Sequence, residues 1–286
     1  VLALRGRPLS FYNYSLGERM RADEAKKGLA TPVSLLVLLS SFMILTTATY
    51  YAAMTSINTK TGRLNYAAAK QDMLTLDDQI ISLTWSPGSA VVQSFQGHGE
   101  KFEVKPELRH LQINLTLGST HDIVFNSSIG RVEYEMPSTD ISEFELFLRG
   151  DGRSIINKSY TTMSQMFITN DENSKEIHLG YRPLAVSFID RSETNLTNII
   201  RIYVLNLNSS EDLTFQGSFR IRIHCVNVTI ETRNYNLPNE VSTALAETSI
   251  DNDVDKVYLP ISSNGESTIV KVEILICNIK LEEVND

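Results

Sequence analysis

Five histidines, two cysteines and two short acidic runs hold the groups best able to act as bases, nucleophiles or metal ligands. His98, His110, His121, His178 and His224 each stand alone, in loops or on the polar phase of alternating segments. No Gly-x-Ser-x-Gly elbow and no His-Glu-x-x-His pair accompanies them. Acyl transfer needs a nucleophile, a base and an orienting group brought together, and the spacing supplies no such trio. His110 and His121 are close enough in sequence for adjacent strands to bring them together around a metal, but solvated surface histidines are the plainer reading. Asp77-Asp78 offers two neighbouring carboxylates; adjacent helix residues point about 100° apart, which predicts a solvated helix flank. Asp251-Asn-Asp-Val-Asp255 opens like a calcium loop and lacks the Gly and the closing Glu that an EF-hand requires. The expectation from these residues is a protein that is not an enzyme and carries no cofactor or metal.

The cysteines are Cys225 and Cys277, too few for a disulfide-dense scaffold or a Cys-rich zinc module. In Phe219-Arg-Ile-Arg-Ile-His-Cys225 the thiol shares a strand face with Phe219, Ile221 and Ile223. In Val270-Lys-Val-Glu-Ile-Leu-Ile-Cys277 the clearest apolar face is Val270, Val272, Ile274 and Ile276, with Cys277 opposite. That mismatch predicts two free thiols, which meet only if the second strand is covered on both sides or a bulge shifts its phase.

These candidate groups must be positioned by a chain whose two ends differ sharply. The net charge of -8 and the pI near 5.2 argue against nucleic acid, because a phosphate-binding surface needs clustered Lys and Arg. From Gly28 to Thr59 there is no charged residue, and Val33-Ser-Leu-Leu-Val-Leu-Leu-Ser-Ser-Phe-Met-Ile-Leu45 is strongly apolar. The run to Ala53 has the roughly 20 residues a bilayer-crossing helix needs, and Tyr50 and Tyr51 fall where interfacial aromatics belong. Arg5, Arg7, Arg19, Arg21, Lys26 and Lys27 all precede it, so the positive-inside rule predicts a cytoplasmic N-terminus and an exported remainder at the cell membrane. Beyond the span, Ile57, Leu64, Ala67, Gln71, Leu74, Asp78 and Ile81 recur every three to four residues, which predicts an amphipathic continuation of the helix up to Ser86-Pro-Gly88.

The junction Lys26-Lys27-Gly28 followed by Leu29-Ala-Thr-Pro-Val33 resembles the class III signal of type IV pilin-like proteins, the archaeal branch in particular. The resemblance implies that a prepilin-type peptidase cleaves between Gly28 and Leu29 and leaves the helix on the mature protein. It departs from bacterial pilins in having Val33 where they carry an acidic residue. An uncleaved signal anchor, or an ordinary secretory signal cut near Ala48, would also fit this stretch.

After Gly88 the period changes to two. The runs 101–105, 110–117, 131–136, 143–148, 184–188, 199–205, 219–225, 257–259 and 268–276 read as strands, with turn clusters at 150–152, 170–173 and 262–265. No periodic helix separates them, so the expected fold is α+β: a basic head over 1–28, a transmembrane helix over 29–53, its amphipathic continuation over 54–86, and a mainly antiparallel sandwich-like domain over 88–286. Sequons at Asn114, Asn126, Asn157, Asn195, Asn208 and Asn227 predict a glycosylated surface. Together these features point to a pilin-like surface protein whose membrane helix packs with lipid or with its own copies. The alternative is a membrane-anchored module whose outer domain recognises a surface polymer or an envelope protein.

Overall fold

The chain is described by a computed structural model covering residues 14–99, 101–136, 146–158, 161–170, 175–191, 196–238, 241–251, 253–262 and 267–284. It divides into two units, Val1–Thr61 and Gly62–Asp286. One helix, α1, runs Tyr14–Leu83. It begins well upstream of Leu29, the expected start, because Tyr14 to Lys27 is rich in Leu, Met, Arg, Ala, Glu and Lys, all strong helix formers. Pro32 therefore lies inside the helix.

Among the described residues, thirteen strands follow: β1 (Ala90–Phe95), β2 (Lys101–Leu117), β3 (Thr120–Met136), β4 (Leu146–Arg149), β5 (Ser164–Asn170), β6 (Lys175–Tyr181), β7 (Leu184–Arg191), β8 (Leu196–Asn206), β9 (Leu213–Phe215), β10 (Phe219–Pro238), β11 (Thr243–Ile250), β12 (Asp253–Pro260) and β13 (Ser267–Glu283). They form a five-stranded sheet ordered β1-β10-β13-β8-β7 and an eight-stranded sheet ordered β12-β11-β2-β3-β6-β5-β4, with β9 on β2. Among these strands every pairing is antiparallel except β13 with β8. One pair of expected runs proves to be a single long strand. The runs 101–105 and 110–117 join through Pro106 and a register shift into β2, and the turn expected at 170–173 lies largely outside the described residues, as does that at 262–265.

Two apolar cores hold the sheets together. The first gathers Phe95, Phe102, Val132, Tyr134, Ile177 and Leu179 with the helix residues Tyr66, Ala69, Met73, Leu76 and Ile80. The second gathers Leu111, Ile113 and Leu115 with Ile200, Ile202, Val204, Val270, Val272 and Ile274. β13 serves both, giving Val270, Val272 and Ile274 to the second core and Cys277, Ile279 and Leu281 to the first. The two sets have opposite parity along a strand of period two, so the cores lie on opposite faces of this sheet. β8 does the same with Ile200 and Ile202 against Leu205.

The helix buries a different face from the one the sequence suggested. Leu64 is 71% exposed, and Ile57, Asp78 and Ile81 are also exposed. The docked ridge is Tyr66, Ala69, Met73, Leu76 and Ile80, whose steps of three and four residues trace one continuous stripe. The expected stripe had to pass through Gln71 and Asp78, whereas the docked one is apolar at every position. Lys70 and Lys175 both place their ammonium groups over the Tyr66 ring, at 4.6 and 5.6 Å from its centre.

Truncating this ridge tests the docked face. Leu76→Ala should lower the stability of the second unit by about 3 kcal/mol, as for other fully buried leucines, whereas Leu64→Ala should change it by less than about 0.5 kcal/mol. Denaturant unfolding followed by the fluorescence of Trp85 reads both, and equal effects would overturn the assignment.

Candidate functional site

Helix α1 presents two surfaces in series, and each sets its own chemical demand. From Val33 to Leu45 every large apolar side chain is more than half exposed. The hydroxyls in and just beyond this stretch turn back onto the helix: Ser40 donates to the Val37 carbonyl at 2.9 Å, Thr46 to Phe42 at 2.9 Å, Thr47 to Met43 at 2.8 Å and Thr49 to Leu45 at 2.7 Å. Their polar groups are thus satisfied inside the helix, as a non-aqueous surrounding requires. By length and composition the helix is sufficient to cross a membrane.

Gly28 and Leu29 lie within α1. In an α-helix the carbonyl of residue 28 accepts from the N–H of residue 32. Residue 32 is proline and has no N–H, so the carbonyl of the Gly28–Leu29 peptide bond has no such helical donor.

The second surface centres on Asp77, which the sequence reading placed on a solvated flank. It is completely buried. Its carboxylate accepts from Ser164 Oγ at 2.7 Å, Tyr181 Oη at 2.9 Å and Arg149 Nη1 at 2.6 Å, so β4, β5 and β6 each supply one donor. Arg149 also reaches the exposed Asp78 at 2.6 Å, and that bond holds the Asp78 carboxyl below the usual range. Burial, and then the Asp77 charge, push the Tyr181 phenol well above its usual value, so it stays a donor. A charge in an amphipathic helix reads as surface unless the donors on distant strands are known.

A second polar network adjoins the first. Arg182 is fully buried and donates to the Asp151 carbonyl at 3.1 Å, the Arg153 carbonyl at 2.9 Å and the Asp151 carboxylate. Gly150 has a φ of 73°, and a Cβ there would come within 2.3 Å of the Ser164 carbonyl, so only glycine lets the turn deliver Asp151 to Arg182. Hydrogen bonds from Arg153 outweigh burial, and with those from Arg182 they hold the Asp151 carboxyl below the usual range.

The histidines divide differently from the sequence expectation. His110 pairs opposite Ser128 while His121 pairs opposite Thr116, which separates them along the β2–β3 ladder. His178, expected in a loop or on the polar phase of a strand, is buried and directly opposite Glu133. Its Nδ1 lies 3.4 Å from the Glu133 carboxylate and its Nε2 is 2.7 Å from Thr169 Oγ1. Ligand atoms of Glu133, Glu176 and His178 fall within 4.8 Å of one another, the one such group among the described residues. Glu133 is already bonded to Lys105 and Arg131, two cations that would oppose a bound metal. Burial works against ionising Glu133, but bonds from His178, Lys105 and Arg131 overcome it and keep the carboxyl well below its usual range. In the Asp251–Asp255 stretch two carboxylates have protein partners: Asp251 takes Arg109 Nε and the His110 N–H, each at 3.0 Å, and Asp255 takes the Ser154 N–H at 2.6 Å.

Of the sequons, Asn126 on β3, Asn157 after Ile156 and Asn227 on β10 are exposed, and Asn114 on β2 and Asn208 are half-buried. Asn195 lies outside the described residues. Comparison with known protein families, with curated proteins and with solved structures finds no match.

Removing the Asp77 carboxylate takes the acceptor from the Ser164 and Tyr181 hydroxyls and one of the two carboxylate partners from Arg149. Asp77→Ala should cost about 3 kcal/mol, against less than about 0.5 kcal/mol for the exposed Asp78→Ala; urea unfolding distinguishes them. The acid limb follows from Glu133 and Asp151, whose carboxyls both titrate lower in the fold than in the unfolded chain. Their stabilisation is complete above the ordinary carboxylate pKa of about 4 and is lost as pH falls below it. Glu133→Gln should therefore flatten the loss of stability on acidification, and an unchanged acid slope would contradict the network.

Proposed function

We propose that this protein is a pilin-like surface subunit, anchored by α1, that exports its β domain and uses the apolar half of the helix to pack with lipid or with copies of itself. The observation that carries the reading is the serial division of one helix. Its first part is apolar with its hydroxyls turned inward, and its last turns dock on a β-rich domain through a single ridge. A free-standing signal anchor needs only the first part.

Basic residues ahead of the apolar run and few after it support a cytoplasmic N-terminus. Lys26-Lys27-Gly28 then presents the Gly28–Leu29 bond to a membrane peptidase of the prepilin class. Pro32 favours cutting there, because a carbonyl with no helical donor is open to a nucleophile and its segment unwinds at lower cost. The sequons fit an exported, glycosylated surface.

Mature protein should begin at Leu29. N-terminal sequencing that finds an intact head, or a start beyond Ala48, would refute the pilin reading. Gly28→Val should abolish cleavage through loss of the small residue, and Pro32→Ala should slow it several-fold while leaving membrane insertion intact; pulse-chase mass shifts measure both. Topology is read separately: protease added to intact cells should digest the chain beyond about Tyr51, and deglycosylation should lower its apparent mass. A protected C-terminal domain would reverse the orientation.

A further inference from the structure

Cys225 and Cys277, expected on opposite faces, are both completely buried in the same core, with their sulfurs 3.7 Å apart as free thiols. The reason lies in the β10–β13 ladder. Cys225 pairs opposite Ile279 and Val228 opposite Cys277, and the register shifts between Cys225 and Asn227. Val226 is the extra residue of that bulge, and Cys225 stands before it, on the face of Ile279 and hence of its diagonal neighbour Cys277; that face of β13 is buried because the strand is covered on both sides. A disulfide needs its sulfurs about 2.05 Å apart, so each would move by less than about 1 Å, within the range of side-chain rotation.

We propose that Cys225 and Cys277 form a disulfide during folding, and that the bond staples the turn leaving α1 to the last strand of the chain. That turn hangs on Cys225 already: the Gly88 N–H donates to the Cys225 carbonyl at 2.8 Å, and the Cys225 N–H donates to the Ser89 carbonyl at 3.0 Å. A bond to Cys277 on β13 would tie the helix exit to the strand that serves both cores. The oxidant is a disulfide, either a small molecule such as oxidised glutathione or an exported dithiol oxidase. One cysteine thiolate attacks the oxidant and releases one of its sulfurs as a thiol, and the other cysteine then attacks the mixed disulfide and releases the second. Two electrons pass from the cysteines to the oxidant, and the two cysteine protons end on the released thiols. Burial pushes the Cys277 thiol up to about 12, so thiolate is scarce in the finished fold and exchange belongs to the stage before the strands close.

Occurrence of the bond in cells rests on the export proposed above, since such oxidants act outside the cytoplasm; the chemistry of the pair does not. Full-length protein refolded in detergent with reduced and oxidised glutathione should give one digest peptide pair linking Cys225 to Cys277 and no alkylated cysteine. Its Tm should exceed that of protein refolded in reductant by roughly 10 °C. Cys225→Ala and Cys277→Ala should each abolish this oxidant-dependent rise. Two alkylated thiols, or stable glutathione adducts in place of the link, would overturn the proposal. In protein taken from cells under acid quench without reductant, the linked pair confirms the bond. Free thiols in a domain that external protease digests overturn it in the cell, whereas free thiols in a protected domain refute the orientation and leave the refolding result to decide the chemistry.

Discussion

A carboxylate with no access to water governs how the helix meets the sheets. Burying an ionised Asp is costly unless its lone pairs are matched, and Asp77 survives in the interior only because Arg149, Ser164 and Tyr181 converge on it. Those donors sit on β4, β5 and β6, so one charge registers the helix against three strands at once. A slip of the helix by one residue would leave the carboxylate and the buried Ser164 and Tyr181 hydroxyls unmatched together. The apolar ridge of Met73, Leu76 and Ile80 supplies attraction without direction, and the charge supplies the position.

The sheet on which β13 runs has no single inside. Its strands bury one face near one end and the other face near the other, and the two cores occupy those opposite faces. This division makes the β-rich domain one folding unit, because β2, β3, β8, β10 and β13 contribute to both cores. A strand shared in this way cannot leave one core without disturbing the other. The bulge at Val226 adjusts β10 to the same change of face.

Charges on the sheet surfaces follow a different rule from the buried ones. Arg201 with Glu273, Arg233 with Asp122 and Lys256 with Glu247 pair across neighbouring elements at 2.6 to 2.7 Å while remaining partly solvated. Such pairs contribute little each. Asp77, Arg182 and Glu133 are buried, and all of their partners except Arg131, which bonds Glu133, lie twenty or more residues away, so the burden of specificity falls on them.

The apolar run, the basic flank, the helical identity of its continuation and the period-two character of the remainder are local patterns, and the sequence alone determines them. Several strands escaped notice for equally local reasons: β5 and β6 lie in runs such as Ser164-Gln-Met-Phe-Ile-Thr-Asn170, where burial on both faces removes the alternation. Which helix face docks, whether Asp77 is solvated, whether His178 is exposed and whether Cys225 meets Cys277 were decided only by tertiary structure. Each depends on partners tens of residues away, or on a strand that changes its buried face midway. Periodicity reports how often a side chain faces inward, and carries no information about what stands opposite it.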